Sequence, residues 1–159
     1  MNAISKPTTQ NIGGIRSFQF AFPSEIAAFD ILPDYYADVT FANGYNWKDL
    51  YATASTASGG SSFENTIAGV LHTFEFSLRC PQDRSELILA FNSFSKFGIL
   101  LRVTDGNSLT RIYGTPSNPM KVKGKLLLPG QVQGYNGYEI AFSVSMPDPA
   151  YIEASEQSN

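Results

Sequence analysis

The sequence predicts a mainly β domain: a β-sandwich or curved antiparallel sheet of about seven strands, with one α-helix packed on it at about residues 83–95. Three observations carry this expectation. Val70, His72, Phe74, Phe76 and Leu78 alternate with Leu71, Thr73, Glu75, Ser77 and Arg79, the period-two pattern of a strand with one buried face. Asn43-Gly44, Asp105-Gly106 and Asn136-Gly137 punctuate such segments, and these dipeptides turn the chain because both members tolerate positive φ. Over residues 83–95 the period becomes helical, with Leu87, Ile88, Phe91 and Phe94 or Ser95 on one stripe, Asp83 as a cap and Glu86 three residues on. With aromatics at 13% and charged residues at only 16%, the chain has the material for a core, which excludes disorder of the whole.

In chain order, residues 1–14 are polar, end in Gly13-Gly14 and read as a flexible N-terminal arm; residues 15–152 form a single β-rich domain. Residues 153–159 hold almost nothing apolar and read as a flexible tail. Phe18, Phe20 and Phe22 alternate with Ser17, Gln19 and Ala21 in a first strand that Pro23 ends. Residues 24–29 fit one helical turn capped by Ser24 and stopped before Pro33. Residues 38–42 form a short strand closed at Asn43-Gly44 by a hairpin or sharp loop, and residues 47–53 fit neither period. Residues 54–62, Ala-Ser-Thr-Ala-Ser-Gly-Gly-Ser-Ser, lack core-forming side chains and read as a long mobile loop. Residues 99–104 and 111–113 flank Asp105-Gly106-Asn107 as a hairpin. Residues 120–128 and 138–145 are two further strands, and Pro147 and Pro149 end the regular structure.

The formal net charge of -3 supplies no overall electrostatic attraction to nucleic acid or an anionic membrane. No apolar run approaches the roughly 20 residues of a membrane span, and residues 1–14 lack the basic start and apolar stretch of a secretory signal. The chain therefore reads as soluble and made in the cytoplasm. Cys80 is the single cysteine, so no internal disulfide forms, and no Cys or His cluster has zinc spacing; no metal or cofactor is expected. Cys80 reads as a small buried residue at a strand end in preference to a reactive thiol. His72, the single histidine, shares a face with Val70, Phe74 and Phe76 and reads as a core or sheet-surface residue in preference to a catalytic base. No Gly-x-Ser-x-Gly elbow or phosphate-cradling loop occurs, and Glu75, Asp83, Glu86, Asp105 and Glu139 are scattered over different elements. No catalytic residue is assigned, and the chain reads as non-enzymatic.

The residues singled out are candidates for contact. Lys121, Lys123 and Lys125 occupy alternate positions of one strand, about 7 Å apart on one face. They read as a guarded edge strand that blocks wrong pairing, against a contact with DNA or an acidic partner. Tyr35, Tyr36, Tyr45, Trp47 and Tyr51 cluster in a loop-rich segment, where core, subunit interface and sugar-stacking platform all remain open. Tyr45, Trp47 and Tyr51, with Gly59 and Gly60 of the small-residue tract and the three lysines, are the interface candidates.

Leu100-Leu101-Arg102-Val103-Thr104-Asp105-Gly106-Asn107, continuing Arg111-Ile112-Tyr113-Gly114-Thr115-Pro116 and later Gly137-Tyr138-Glu139-Ile140-Ala141-Phe142-Ser143, resembles small structural proteins of tailed bacteriophages. The likeness covers about the C-terminal third and lies in hairpin and strand grammar. It implies a non-enzymatic virion component, a tail tube, tail terminator or neck protein, in which a β-sandwich with a flanking helix assembles into rings through loops and arms. The implied partners are further copies of the chain and other virion proteins, near DNA but without sequence-specific recognition. No motif fixes which part of the virion is meant. The competing expectation is a β-sandwich carbohydrate-binding or adhesion module that stacks sugars on Trp47 and its neighbouring tyrosines.

Overall fold

Eleven strands, where about seven were expected, divide between two sheets in the computed structural model, which describes residues 13–53, 55–81, 85–128, 130, 134 and 136–154. They are β1 (Ile15–Ala21), β2 (Ile26–Leu32), β3 (Tyr36–Phe41), β4 (Lys48–Asp49), β5 (Ser58–Thr66) and β6 (Gly69–Pro81), then β7 (Leu100–Asp105), β8 (Thr110–Tyr113), β9 (Lys121–Leu127), β10 (Gly137–Met146) and β11 (Tyr151–Glu153). A helix, α1 (Ser85–Phe97), joins β6 to β7. One sheet has the order β2-β3-β11-β8-β7-β1-β4 and the other β5-β6-β10-β9. The chain changes sheet after β4, β6, β8 and β10, so hairpins β5–β6, β7–β8 and β9–β10 are laid down alternately. The fold is thus the expected mainly β, two-sheet arrangement with a single helix. Among the described residues no helix is long and apolar enough to cross a membrane.

The alternation in β6 becomes burial: Phe74, Phe76, Leu78 and Cys80 are buried, as are Ile140, Phe142, Val144 and Met146 on the neighbouring β10. These meet the first sheet ring against ring. Phe76 lies 4.6 Å from Tyr113 and 6.1 Å from Phe18, and Phe74 lies 5.2 Å from Tyr113, all between centroids and all edge to face. Burial pushes the Tyr113 phenol up from its ordinary range, against the lowering pull of Arg111. The helix closes the side of the sandwich, with Phe94 4.7 Å from Phe20 and Phe91 4.9 Å from Tyr138. Its stripe is Leu87, Phe91 and Phe94; Ile88, expected on that stripe, faces solvent. The helix ends at Gly98, whose φ of +67° suits glycine and lets its N–H reach the Phe94 carbonyl at 2.9 Å. Asp83, expected as the cap, lies outside the described residues.

Several expectations are corrected. Residues 24–29 are not a helical turn: a 3-10 turn, Pro23–Glu25, leads directly into β2. Glu25 stabilises that turn by accepting from the Phe22 N–H at 3.1 Å and pairing with Lys48. Of the hairpin or sharp loop expected at Asn43-Gly44, the structure has the sharp loop, because β3 pairs with β2 and β11 while β4 pairs with β1. The tract at residues 54–62 is not one loop: from Ser58 onward it is β5, paired residue for residue with β6. Its glycines permit this, since Gly59 stands directly opposite Phe76 and a Cβ there would lie 2.0 Å from the Phe76 ring. Ala54 itself lies outside the described residues.

Regular structure also continues past Pro147 and Pro149. β11 inserts between β3 and β8, and Glu153, placed in the tail by its polarity, is buried at its end. The Arg102 guanidinium reaches it across the sheet, with Nε 2.9 and 3.0 Å from the two carboxylate oxygens and Nη2 on Oε2. Arg102 Nη1 donates to Gln19 Oε1, and Gln19 Nε2 donates to Asp49 Oδ1 at 2.7 Å, so one polar chain ties β11, β7, β1 and β4. A charged fork on a carboxylate keeps both charges satisfied where water is largely excluded. Residues 1–12 of the expected arm and 155–159 of the expected tail lie outside the described residues.

Two outcomes test this packing. Gly59→Ala should destabilise the fold by about 1–3 kcal/mol by overpacking. Gly60→Ala, whose Cβ would meet nothing within 4 Å, should stay within about 0.5 kcal/mol. Urea midpoints compare the two, and equal midpoints would show that the Phe76 ring is not seated on the glycine. The second concerns Tyr151, which is 2% exposed and donates its O–H to Asp148 at 3.0 Å. Burial, aided by Asp148, pushes its phenol up to about 12 from 10.0. The native state therefore holds this proton more tightly than the unfolded chain. The resulting stability is whole below pH 10 and is lost as pH rises towards 12. Tyr151→Phe should flatten alkaline unfolding in that window, read by tyrosinate absorbance against circular dichroism.

Candidate interaction surface

Because side chains alternate across a strand, the buried set of the four-stranded sheet fixes what its other face presents. Ser58, Gly60, Ser62 and Glu64 of β5 share that outer face with Thr73, Glu75 and Ser77 of β6, Ala141 and Ser143 of β10, and the three lysines of β9. Small side chains in the middle leave a shallow trough of about 700 Å³ floored by serines, glycine and alanine, with Glu75 and Lys123 as its charged members. Hydroxyls bridge its strands: Ser58 and Ser77 lie 2.9 Å apart, Thr73 and Ser145 3.1 Å.

The two edges of this sheet differ. β9 carries Lys121, Lys123 and Lys125, all exposed, with Val122 buried between them. Lys125 pairs with Glu139 at 3.2 Å. Among the described residues Lys121 and Lys123 make no ion pair, nor do Glu64 and Glu75 at the other side. β5, the opposite edge, has no lysine, arginine or proline, a single carboxylate and, among the described residues, no strand on its far side over nine residues. Beyond Ser62 the β5–β6 hairpin leaves the core, and residues 58–70 are all exposed. Phe63 is 75% exposed although its ring lies 5.9 Å from His72, and Ile67 at the tip is fully exposed.

The candidate residues fall into two groups that the fold separates. Gly59, Gly60 and Lys123 line the trough, with Lys121 and Lys125 beside it on the same strand. Tyr45 and Trp47 lie in the β3–β4 connection of the first sheet, and Tyr51 lies in the link from β4 to β5 of the second. Trp47 is half-buried and packs edge-on to Phe41 at 5.4 Å, so it serves the core's margin more than an open stacking face. Tyr45 is exposed near Lys48, whose ammonium lies 5.9 Å from its ring and 5.2 Å from that of Phe22. Tyr51 is exposed too, and its carbonyl accepts from the buried Cys80 thiol at 3.0 Å. His72 is half-buried and stacks on Phe74, with centroids 6.3 Å apart.

Sequence reasoning missed Glu64, Phe63 and Ile67, and did not connect Glu75 with the lysines. One signal was present: a strand as strongly patterned as β6 needs partners on both sides, and the residues just before it had no other assignment. Among the described residues no group of three or more His, Cys, Asp or Glu side chains could hold a metal ion. No known protein family, curated protein or solved structure matches this chain.

Proposed function

We propose that this chain is a non-enzymatic structural protein of a phage virion, assembling into rings or tubes in the tail or the head–tail neck. The observation that carries the assembly part is the β5–β6 hairpin: thirteen consecutive residues, 58–70, are exposed, and they include Phe63, Ile67 and Val70. Apolar side chains held out on a paired hairpin contribute little to the chain's own stability, and such patches mark contact with another molecule. The open β5 edge supports the same reading, because unpaired strand edges seek a partner unless they are guarded. The virion assignment rests on the resemblance of the 100–116 and 137–143 segments to tailed-phage structural proteins.

Replacing Phe63, Ile67 and Val70 together by Ser should leave the melting temperature within about 2–4 °C, since none is in the core. The same change should abolish ring or tube particles in negative-stain electron micrographs of the purified chain. Mass spectrometry of purified virions tests the location: absence of the chain from particles would sink the virion reading. Saturable binding to a glycan panel, lost on Tyr51→Ala, would support the adhesion alternative instead.

A further inference from the structure

We infer that copies of this chain join head to tail through the four-stranded sheet, the β5 edge of one copy receiving the lysine-bearing β9 flank of the next. This deepens the assembly reading by naming the surface and its complement. The outer face of the sheet is electrically polarised. The end holding Lys125, Glu139 and Arg79 is compensated within the chain, since Lys125 pairs with Glu139 and Arg79 stands opposite Glu139. What remains is Lys121 and Lys123 on one side and Glu64 and Glu75 on the other. Lys121 and Glu75 share one rung, separated by Ser143. Two strand spacings put their backbones about 10 Å apart, and among the described residues the two side chains make no ion pair.

A neighbour placed beyond β5 changes this. Its lysine row would face Ser58, Gly60, Ser62 and Glu64 first, with Glu75 one strand further in. The small floor of the trough leaves room for lysine side chains to lie across it towards both carboxylates. The symmetric alternatives are worse. Pairing β5 with β5 gathers the Glu64 and Glu75 carboxylates of two copies at one joint and leaves the lysines uncompensated; pairing β9 with β9 brings six lysines together. Like charges set side by side oppose association, and unlike edges that meet head to tail generate rings when the rotation closes.

The test uses the full chain in sedimentation velocity at low and high salt. The variants are Lys121→Glu with Lys123→Glu, and Glu64→Lys with Glu75→Lys. All four side chains are exposed or on the outer face, so circular dichroism and melting should match the unaltered chain. The unaltered chain should associate, more weakly at high salt. Each double variant alone should lose about tenfold or more in affinity for itself, and an equimolar mixture of the two should recover association, because each presents the flank the other lacks. A monomeric unaltered chain, self-association of either variant at undiminished strength, or failure of the mixture to recover would overturn the joint. If the lysine variant instead keeps self-association but loses binding to a duplex DNA fragment in a mobility-shift assay, the lysines serve nucleic acid and the joint is also overturned. Charge-swapped recovery in a chain absent from virions would refute the virion reading while leaving the joint intact. Virion incorporation without charge dependence would do the reverse.

Discussion

The interdigitation of Phe74 and Phe76 with Tyr113 and Phe18 is the contact on which the two sheets depend. Each edge-to-face pair contributes roughly 0.5–1.5 kcal/mol beyond the area it buries, and the rings also set the spacing of the sheets. That requirement propagates outward through strand pairing. β10 answers it on one side by placing Phe142 and Val144 opposite Phe76 and Phe74. On the other side the strand must leave space for the Phe76 ring, and Gly59 does so. The odd composition of β5 is therefore a consequence of the core it flanks: the glycine that weakens the strand as a strand is what admits the aromatic ring behind it.

A second constraint comes from the order in which the sheets are laid down. The chain returns to the first sheet twice, at β7 and again at its last strand, and that last strand, β11, is three residues long. Few hydrogen bonds hold so short a strand, so side chains must fix it. Tyr151 does this from the core, against Phe29 at 5.7 Å, and Glu153 does it through Arg102. Arginine suits the position because its planar fork can hold both carboxylate oxygens while turning a third donor to Gln19. At the far edge β4 is only two residues and is held similarly, by Lys48 on Glu25 with the Phe20 and Phe22 rings beneath its ammonium.

What could be read from the sequence follows from these dependencies. β6, β7, β8, β9 and β10 were legible because each carries its own apolar alternation or turn signal, and α1 because its period departs from theirs. β5 was not, since its pattern is set by the strand opposite, and Ser-Gly-Gly-Ser-Ser shows no alternation by itself. β11 was hidden behind two prolines and by Glu153, a carboxylate whose partner lies 51 residues earlier. β2, Ile-Ala-Ala-Phe-Asp-Ile-Leu, has apolar residues in both parities, so its first four residues read as part of a helical turn and not as a strand. Of the contact surface, the lysine stripe was visible because period two is local. Its relation to Glu75 was not, because that depends on strand order, which no spacing along the chain reveals.

The difference between the edges of the four-stranded sheet then takes on meaning. A sheet whose two edges were both guarded would suit a protein that remains alone, and one with both edges bare would pair with anything. Among the described residues one edge is guarded by lysines and the other is bare, held in place from one side only by β6. A strand supported from one side opens at lower cost than one paired on both, so β5 and the hairpin tip belong to the least stable part of the fold. Contact with a neighbour would order that region by supplying hydrogen bonds along the edge and cover for Phe63 and Ile67. The lysines would exclude the symmetric pairing that would otherwise compete. Stability of the subunit and direction of the proposed assembly would thereby be carried by different residues, the core aromatics for the first and the outer-face charges for the second, so that either could change without undoing the other.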